Sequence, residues 1–243
     1  RDRHHLSLRR AGDIDDLGEL FRVGLKRPSF AKYASLSRQV NAFFAIWLPW
    51  LLAREFPGVY TVFAGGDDFF LIGPWLSIQK LAVRMQREFA RYVAGNEGIH
   101  FSAGIATQKP GAPIHILAEL AEDALSAAKH HEGKNAVTCF GETVAWDRWD
   151  ALEGALARLA ELREAARLST GYVYGLLQFV ELRRQEVEEK KPEAAIWRSR
   201  LAYRTRRFVV DRMKGLDEAQ RRKTFTEIVT DIADKGIGRL GSA

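Results

Sequence analysis

Two stretches of this 243-residue chain carry side chains that could do chemistry together. The first is Gly65-Gly66-Asp67-Asp68, set between the apolar runs 59–64 and 69–73. Those runs are short, β-branched and aromatic, so they predict strands. The glycines supply the backbone freedom of a tight hairpin turn. Two adjacent aspartates at the mouth of an apolar hairpin repel each other unless a cation lies near them. One reading is therefore a divalent-metal site. The other is an ordinary polar hairpin tip, because Gly and Asp are common turn residues. The second stretch is Asp13-Ile14-Asp15-Asp16, at the end of a weak strand that starts near His5. Strand alternation places Asp13 and Asp15 on one side. A turn after Asp13 would free the Ile14 carbonyl as a further oxygen ligand. Asp16 fits a helix N-cap, a role compatible with metal binding by Asp13.

Whether these acids can meet depends on the elements around them. Leu17, Leu20 and Phe21 begin a helical face, and residues 26–33, which contain Pro28, read as a loop. A long apolar helix is expected over 34–55, kinked at Pro49. The 59–64/69–73 hairpin, a helix over 75–92, a strand over 99–107, a helix over 114–130, a turn at Gly133-Lys134-Asn135 and a strand over 136–140 follow. This β-α-β-β-α-β order, with further short elements, is the split βαβ, ferredoxin-like arrangement of an α+β palm. It sets the end of the first strand beside the central hairpin. Asp13 and Asp67 then converge despite their separation in sequence, which hairpin-tip polarity does not predict.

From Asp147 predicted strands stop. Leucine stripes, a capping box at Asp217–Gln220 and a helix rich in arginine (Arg198, Arg200, Arg204, Arg206, Arg207 and Arg212) give an all-helical region. The expected domains are 1–147, the palm, and 148–243, the helical domain, with a loose tail from Gly236 to Gly241. The arginine helix fits a solvated face, a subunit contact or a nucleic-acid surface. The formal charge of +6 permits a phosphate-bearing partner without demanding one. With 47% apolar and 28% charged residues the composition is that of a globular protein. No apolar run reaches the length of a membrane span, and the first residues lack the pattern of a signal peptide. Cys139 is the only cysteine, which excludes an intrachain disulfide and a cysteine metal cluster and fits a reducing, cytoplasmic compartment.

Taken together, Gly12-Asp13-Ile14-Asp15-Asp16-Leu17-Gly18, Leu36-Ser37-Arg38, Gly65-Gly66-Asp67-Asp68, Ser102-Ala103-Gly104-Ile105 and Ala128-Lys129 with Gly133-Lys134-Asn135 form a specific ensemble. The chain resembles the C-terminal part of the large signature subunit of type III-A CRISPR effector complexes, its second palm and helical domain. The resemblance implies an enzyme that joins ATP into cyclic oligoadenylates when target RNA binds. It implies Mg²⁺ or Mn²⁺, or another divalent cation, held by Asp13, Asp67 and the Ile14 carbonyl, with Asp68 also essential. By the same resemblance Ser37 contacts adenine, Gly65 and Gly66 line the nucleotide site, and Lys129 and Lys134 bind the triphosphate. An ordinary exposed helix-end charge is the other reading of each lysine. The implied partners are ATP, the first palm of a longer subunit, the other subunits of the complex, CRISPR RNA and target RNA, with no membrane. No His-Asp dipeptide occurs, so no single-stranded DNase activity is expected from these residues. Two alternatives stand beside this reading. One is a diguanylate-cyclase-like enzyme, disfavoured because Asp68 stands where those enzymes usually have glutamate. The other is a non-catalytic assembly or RNA-path module.

Overall fold

The computed structural model describes residues 7–18, 22, 29–109, 111–213, 215 and 217–239. The expected helical face at Leu20 and Phe21, the Pro28 part of the expected 26–33 loop and the last part of the tail lie outside them, whereas residues 30–33 of that loop are helical, capped by Ser29. The chain divides into two compact units, 1–149 and 150–243.

The first unit contains six strands: β1 (Ser7–Ile14), β2 (Tyr60–Gly65), β3 (Asp68–Pro74), β4 (Phe101–Gln108), β5 (Ala136–Cys139) and β6 (Glu142–Ala145). They form one sheet in the order β2-β3-β1-β4-β5-β6. Its β2-β3-β1-β4 part is the ferredoxin-like order expected from the sequence. Neighbours are antiparallel except β4 and β5, which run parallel. The β5–β6 hairpin extends the expected sheet by one strand. Its turn residues Phe140 and Gly141 both have positive φ, 55° and 81°, as a two-residue type I′ turn requires.

Helices cover the sheet unequally. The expected long helix is α1 (Phe30–Ala42) and α2 (Leu48–Glu55), joined by one π-helical turn at Phe43–Trp47. Pro49 explains that turn: its ring and missing N–H disturb the helix about four residues upstream. With α3 (Trp75–Tyr92) these helices bury Phe43, Phe44, Leu48, Leu51, Ile78, Leu81, Met85 and Phe89. They pack there with Phe69 and Leu71 of β3 and Phe101, Ala103 and Ile105 of β4. The opposite face carries α4 (Ile114–His130), which packs on β1, β4 and β5. Gly104 makes that seating possible. A Cβ on it would lie 2.2 Å from the Leu125 nitrogen and 2.4 Å from the Ala121 oxygen, both α4 backbone. No helix among the described residues is long and apolar enough to cross a membrane.

The second unit contains α5 (Trp149–Ala165, starting one residue before the division), α6 (Thr170–Tyr174), α7 (Leu177–Val187), α8 (Trp197–Phe208) and α9 (Glu218–Val229). Its core holds Tyr172, Phe179, Trp197, Leu201 and Ile228, and the Tyr172 and Thr205 hydroxyls meet there at 2.6 Å. The helical stripe read from Tyr172 onward is two helices: α6 and α7 are separated at Gly175 and Leu176, and the Arg204 guanidinium lies close above Gly175, where it leaves no room for a Cβ. Asp217 and Gln220 form the expected capping box of α9. On α8, Arg198 pairs with Glu186 and lies over Trp197, Arg204 donates to the Gly171 carbonyl, and Arg207 donates to Tyr203. These three arginines are tied within their own unit, while Arg200 and Arg206 are exposed.

Gly104→Ala is expected to destabilise the palm by about 1–3 kcal/mol, the usual cost of overpacking. Gly154→Ala, in α5 with nothing within 4 Å of the added carbon, should stabilise its helix by about 0.5–1 kcal/mol. Urea unfolding of both variants measures the opposite signs.

Candidate functional site

Register brings the acids together. Asp13 is the last residue of β1 paired with β3, and its partner is Asp68; on the other side it pairs with Ser102 of β4. Residues paired across antiparallel strands present their side chains on one face, here the face that carries α4. Gly66 and Asp67 form the two-residue turn between paired Gly65 and Asp68, with Gly66 at φ 65°. The Gly66 N–H donates to Asn41 Oδ1 at 2.8 Å, which ties the turn to α1. One carboxylate oxygen from each of Asp13, Asp67 and Asp68 lies within 4.8 Å of the other two.

Strict alternation from Asp67 would aim Asp68 away from Asp13. The structure brings Asp68 in, because Asp67 belongs to the turn and Asp68 is the first strand residue. Burial, and then the Asp67 charge, push the Asp68 carboxyl above its ordinary pKa. Asp13 Oδ2 accepts from Lys129 Nζ of α4, whereas Asp13 Oδ1 is buried with no hydrogen-bond partner. Burial first, and then the Lys134 ammonium, lower the Lys129 pKa even with Asp13 opposite. An orphaned buried carboxylate oxygen beside two further carboxylates is the donor set of a hard divalent cation. The residues present fit one.

The other predicted residues fall into place around this cluster. The Ile14 side chain is 2% exposed and turns into the palm core, away from Asp13. Its peptide lies one residue beyond the last β1–β3 pair, at the strand end where the acids gather. Gly65 ends β2, and a Cβ there would come within 3.5 Å of Asn41 Oδ1. Ser37 is exposed on α1, one turn before Asn41, and is not one of the clustered residues. Lys134 pairs with Asp16 rather than with the cluster. Asp16, read as a cap, has φ 52° instead of the extended backbone of an N-cap. A cavity of about 460 Å³ opens beside Asp13 and Asp68, lined also by Phe63, Phe70, Glu122 and Lys129.

Sequence reasoning left Asn41 and Asp15 without roles. Asn41 follows Ser37 by four residues, on the same helix face. Asp15 is 3% exposed. Its Oδ2 lies 2.8 Å from His100 Nδ1 and accepts from Ser102 Oγ at 2.9 Å and the Asn135 N–H at 3.1 Å. The signal was a third acid inside an otherwise strand-like run.

Asp13→Asn is expected to weaken Mn²⁺ binding, read by electron paramagnetic resonance, by more than the about 10-fold that an outer-shell loss costs. Asp68→Asn should act oppositely on the metal-free fold. A carboxyl whose pKa is raised by folding withdraws stability as pH rises through that value. Melting in EDTA should therefore show the Asn variant more stable than the parent at pH 7, with the difference closing below about pH 4, near the ordinary carboxylate range.

Comparison with known proteins places this geometry. A family model described as Cas10/Cmr2, second palm domain, matches residues 11–138, more than half of the chain. A Streptococcus thermophilus protein named CRISPR system single-strand-specific deoxyribonuclease Cas10/Csm1 (subtype III-A) is 28% identical over 230 residues, covering 89% of this chain and 28% of that protein. The crystal structure of an apo Csm1-Csm4 cassette is 25% identical with a TM-score of 0.67, covering 93% of this chain and 36% of that chain. A Csm1-Csm4 cassette in complex with pppApApA shares the fold at 24% identity and a TM-score of 0.68, covering 96% and 37%. The chain spans between 18% and 28% of the length of the curated relatives it matches. By the match over its palm, the chain belongs to the Cas10/Cmr2 second palm domain family.

Proposed function

We propose that this chain supplies the catalytic palm of a type III-A CRISPR effector subunit that joins ATP into cyclic oligoadenylates. The observation that carries the reading is the carboxylate cluster of Asp13, Asp67 and Asp68, with Asp13 Oδ1 buried and unpartnered. Family membership and the two lysines at the same end of the sheet support it.

The reaction is a nucleotidyl transfer. A 3′-hydroxyl forms a bond to the α-phosphorus of an ATP, and the bond to pyrophosphate breaks. Divalent cations held by Asp13, Asp67 and Asp68, with the Ile14 carbonyl as a further hard oxygen, would polarise the phosphate and acidify the hydroxyl. The chain's own groups do the positioning. Gly66 and Asn41 fix the turn that carries Asp67. Pairing with β1 fixes Asp68 opposite Asp13. Lys129 and Lys134 offer ammonium groups to phosphate oxygens, exchanging their carboxylate partners for the substrate. Ser37, on the helix that Asn41 ties to the turn, is assigned to the adenine. The Csm1-Csm4 cassette bound to pppApApA, a linear triadenylate, names the chain intermediate to seek. The deoxyribonuclease of the relatives' names is assigned to parts of those proteins outside the matched residues.

The test is a two-palm subunit carrying this chain, in its complex with CRISPR RNA and matching target RNA, given Mg²⁺ and labelled ATP. Cyclic adenylates are expected, reduced at least about 100-fold by Asp67→Ala with Asp68→Ala, as fits loss of several kcal/mol of metal-borne stabilisation. Cyclic di-GMP made from GTP would transfer the site to the cyclase reading. RNA-dependent assembly with no nucleotide product would reduce the palm to an assembly module.

A further inference from the structure

The cluster explains Asp13, Asp67 and Asp68 but leaves a more deeply buried acid unused. Asp15 is 3% exposed, and its side chain accepts hydrogen bonds from two other segments. One is the start of β4, through Ser102 Oγ at 2.9 Å, with His100 Nδ1 2.8 Å away. The other is the loop between α4 and β5, through the Asn135 N–H at 3.1 Å. That loop is conformationally costly. Gly133, Lys134 and Asn135 have φ values of 76°, 51° and 44° in succession. A left-handed backbone at a non-glycine residue is strained and persists where surrounding contacts impose it. The imposing contacts are the Asp15 carboxylate on the Asn135 N–H, the Trp146 N–H on the Asn135 carbonyl at 2.9 Å, and the His131 carbonyl on the Lys134 N–H at 2.9 Å. Of the three, only the Asp15 contact comes from the residue that directly follows β1, the strand that carries Asp13.

We infer that Asp15 is a positioning residue for phosphate binding: it locks the Gly133–Asn135 loop in its left-handed course and so holds the Lys134 ammonium at the carboxylate end of the sheet, ready for a polyphosphate. Two observations give this direction. Lys134 sits in the middle of the three left-handed residues, so relaxation of Asn135 moves it. Its ammonium also already lies at the β1 end, against Asp16, the residue after Asp15. The carboxylate itself is buried. Its effect passes through the loop. The inference rests on the reading of the two lysines as phosphate ligands, and it concerns binding alone.

The experiment is calorimetric titration of the 243-residue chain with inorganic tripolyphosphate in saturating Mg²⁺, alongside Mn²⁺ binding read by electron paramagnetic resonance. Lys134→Ala and Asp15→Ala should each weaken tripolyphosphate binding about 10-fold, the loss of one charge-assisted contact. The double variant should be no worse than either single one, since both remove the same contact. Mn²⁺ binding should stay at the parent value in all three. Asp15→Asn keeps an acceptor oxygen for the Asn135 N–H and should bring binding back to within about threefold. Asn135→Pro removes the donor and cannot adopt a positive φ. It leaves Asp15, Ser102 and His100 in place and should give the same loss even where Asp15→Ala does not fold. Parent-like binding by Asp15→Ala or by Asn135→Pro, additive losses with Lys134→Ala, equal losses of Mn²⁺, or no binding of tripolyphosphate by the parent would each overturn the inference. A chain that binds tripolyphosphate as described yet makes no oligoadenylate in its complex would overturn the proposed function and leave the inference standing.

Discussion

Asp13 and Asp68 face each other across β1 and β3, and Asp67 adjoins them. Like charges directly opposite in a sheet are destabilising, so the palm must impose this arrangement through other contacts. It does so from the opposite face. Phe69, next to Asp68, lays its ring over Gly12, next to Asp13, where any Cβ would come 2.1 Å from the ring. The same ring stacks on Phe44 and meets Phe101 edge-on. Glycine at position 12 thus lets an aromatic clamp close β1 on β3 one residue from the acids. The aromatic core and the acidic cluster are two sides of one pairing. A shift of register by one residue would turn the acids into the core and the clamp out to solvent.

The cluster's remaining parts are held by contacts that cross the sequence. Asn41 reaches 25 residues along the chain to the Gly66 N–H. Lys129 reaches Asp13 across 116. These contacts make α1 and α4 part of the site, although neither supplies an acid. The helix bearing Ser37 and the turn bearing Asp67 then cannot move independently. Under the proposed function, a contact on the adenine end of a nucleotide would thereby be linked to the charge at the phosphate end.

Much of this was legible from residue types. The βαββαβ order followed from periodicity and turn signals. That order alone put Asp13 beside the hairpin, because β1 must lie between β3 and β4. The α3 and α4 spans were equally clear, since their apolar spacing is unbroken. Three features were not legible. The π-turn at Phe43–Trp47 depends on where the helix yields upstream of Pro49, which propensity does not say. The inward turn of Asp68 depends on which residue of Gly65-Gly66-Asp67-Asp68 is the first in the strand, a boundary too fine for pattern reading. The role of Asp15 depends on burial and on a loop 120 residues away, and no local pattern carries that information.

Charge balance takes the argument one step further. With its carboxyls ionised, the cluster sets three negative charges against the one Lys129 ammonium, a residual of −2 at the mouth of the cavity. One divalent cation would balance that charge, and the orphaned Asp13 Oδ1 offers such an ion an unshared lone pair. A polyphosphate arriving without a cation meets this residual charge and is repelled, since two unit charges about 4 Å apart cost about 1 kcal/mol even in bulk water and more near a protein surface. A polyphosphate arriving with its cation meets complementary charge at the acids and a fixed ammonium at Lys134. Under the proposed function the cluster would therefore discriminate between bare and metal-bound phosphate before any chemistry begins. A cation neutralising Asp13 would, under the same proposal, leave the Lys129 ammonium, now paired with Asp13, to meet the phosphate.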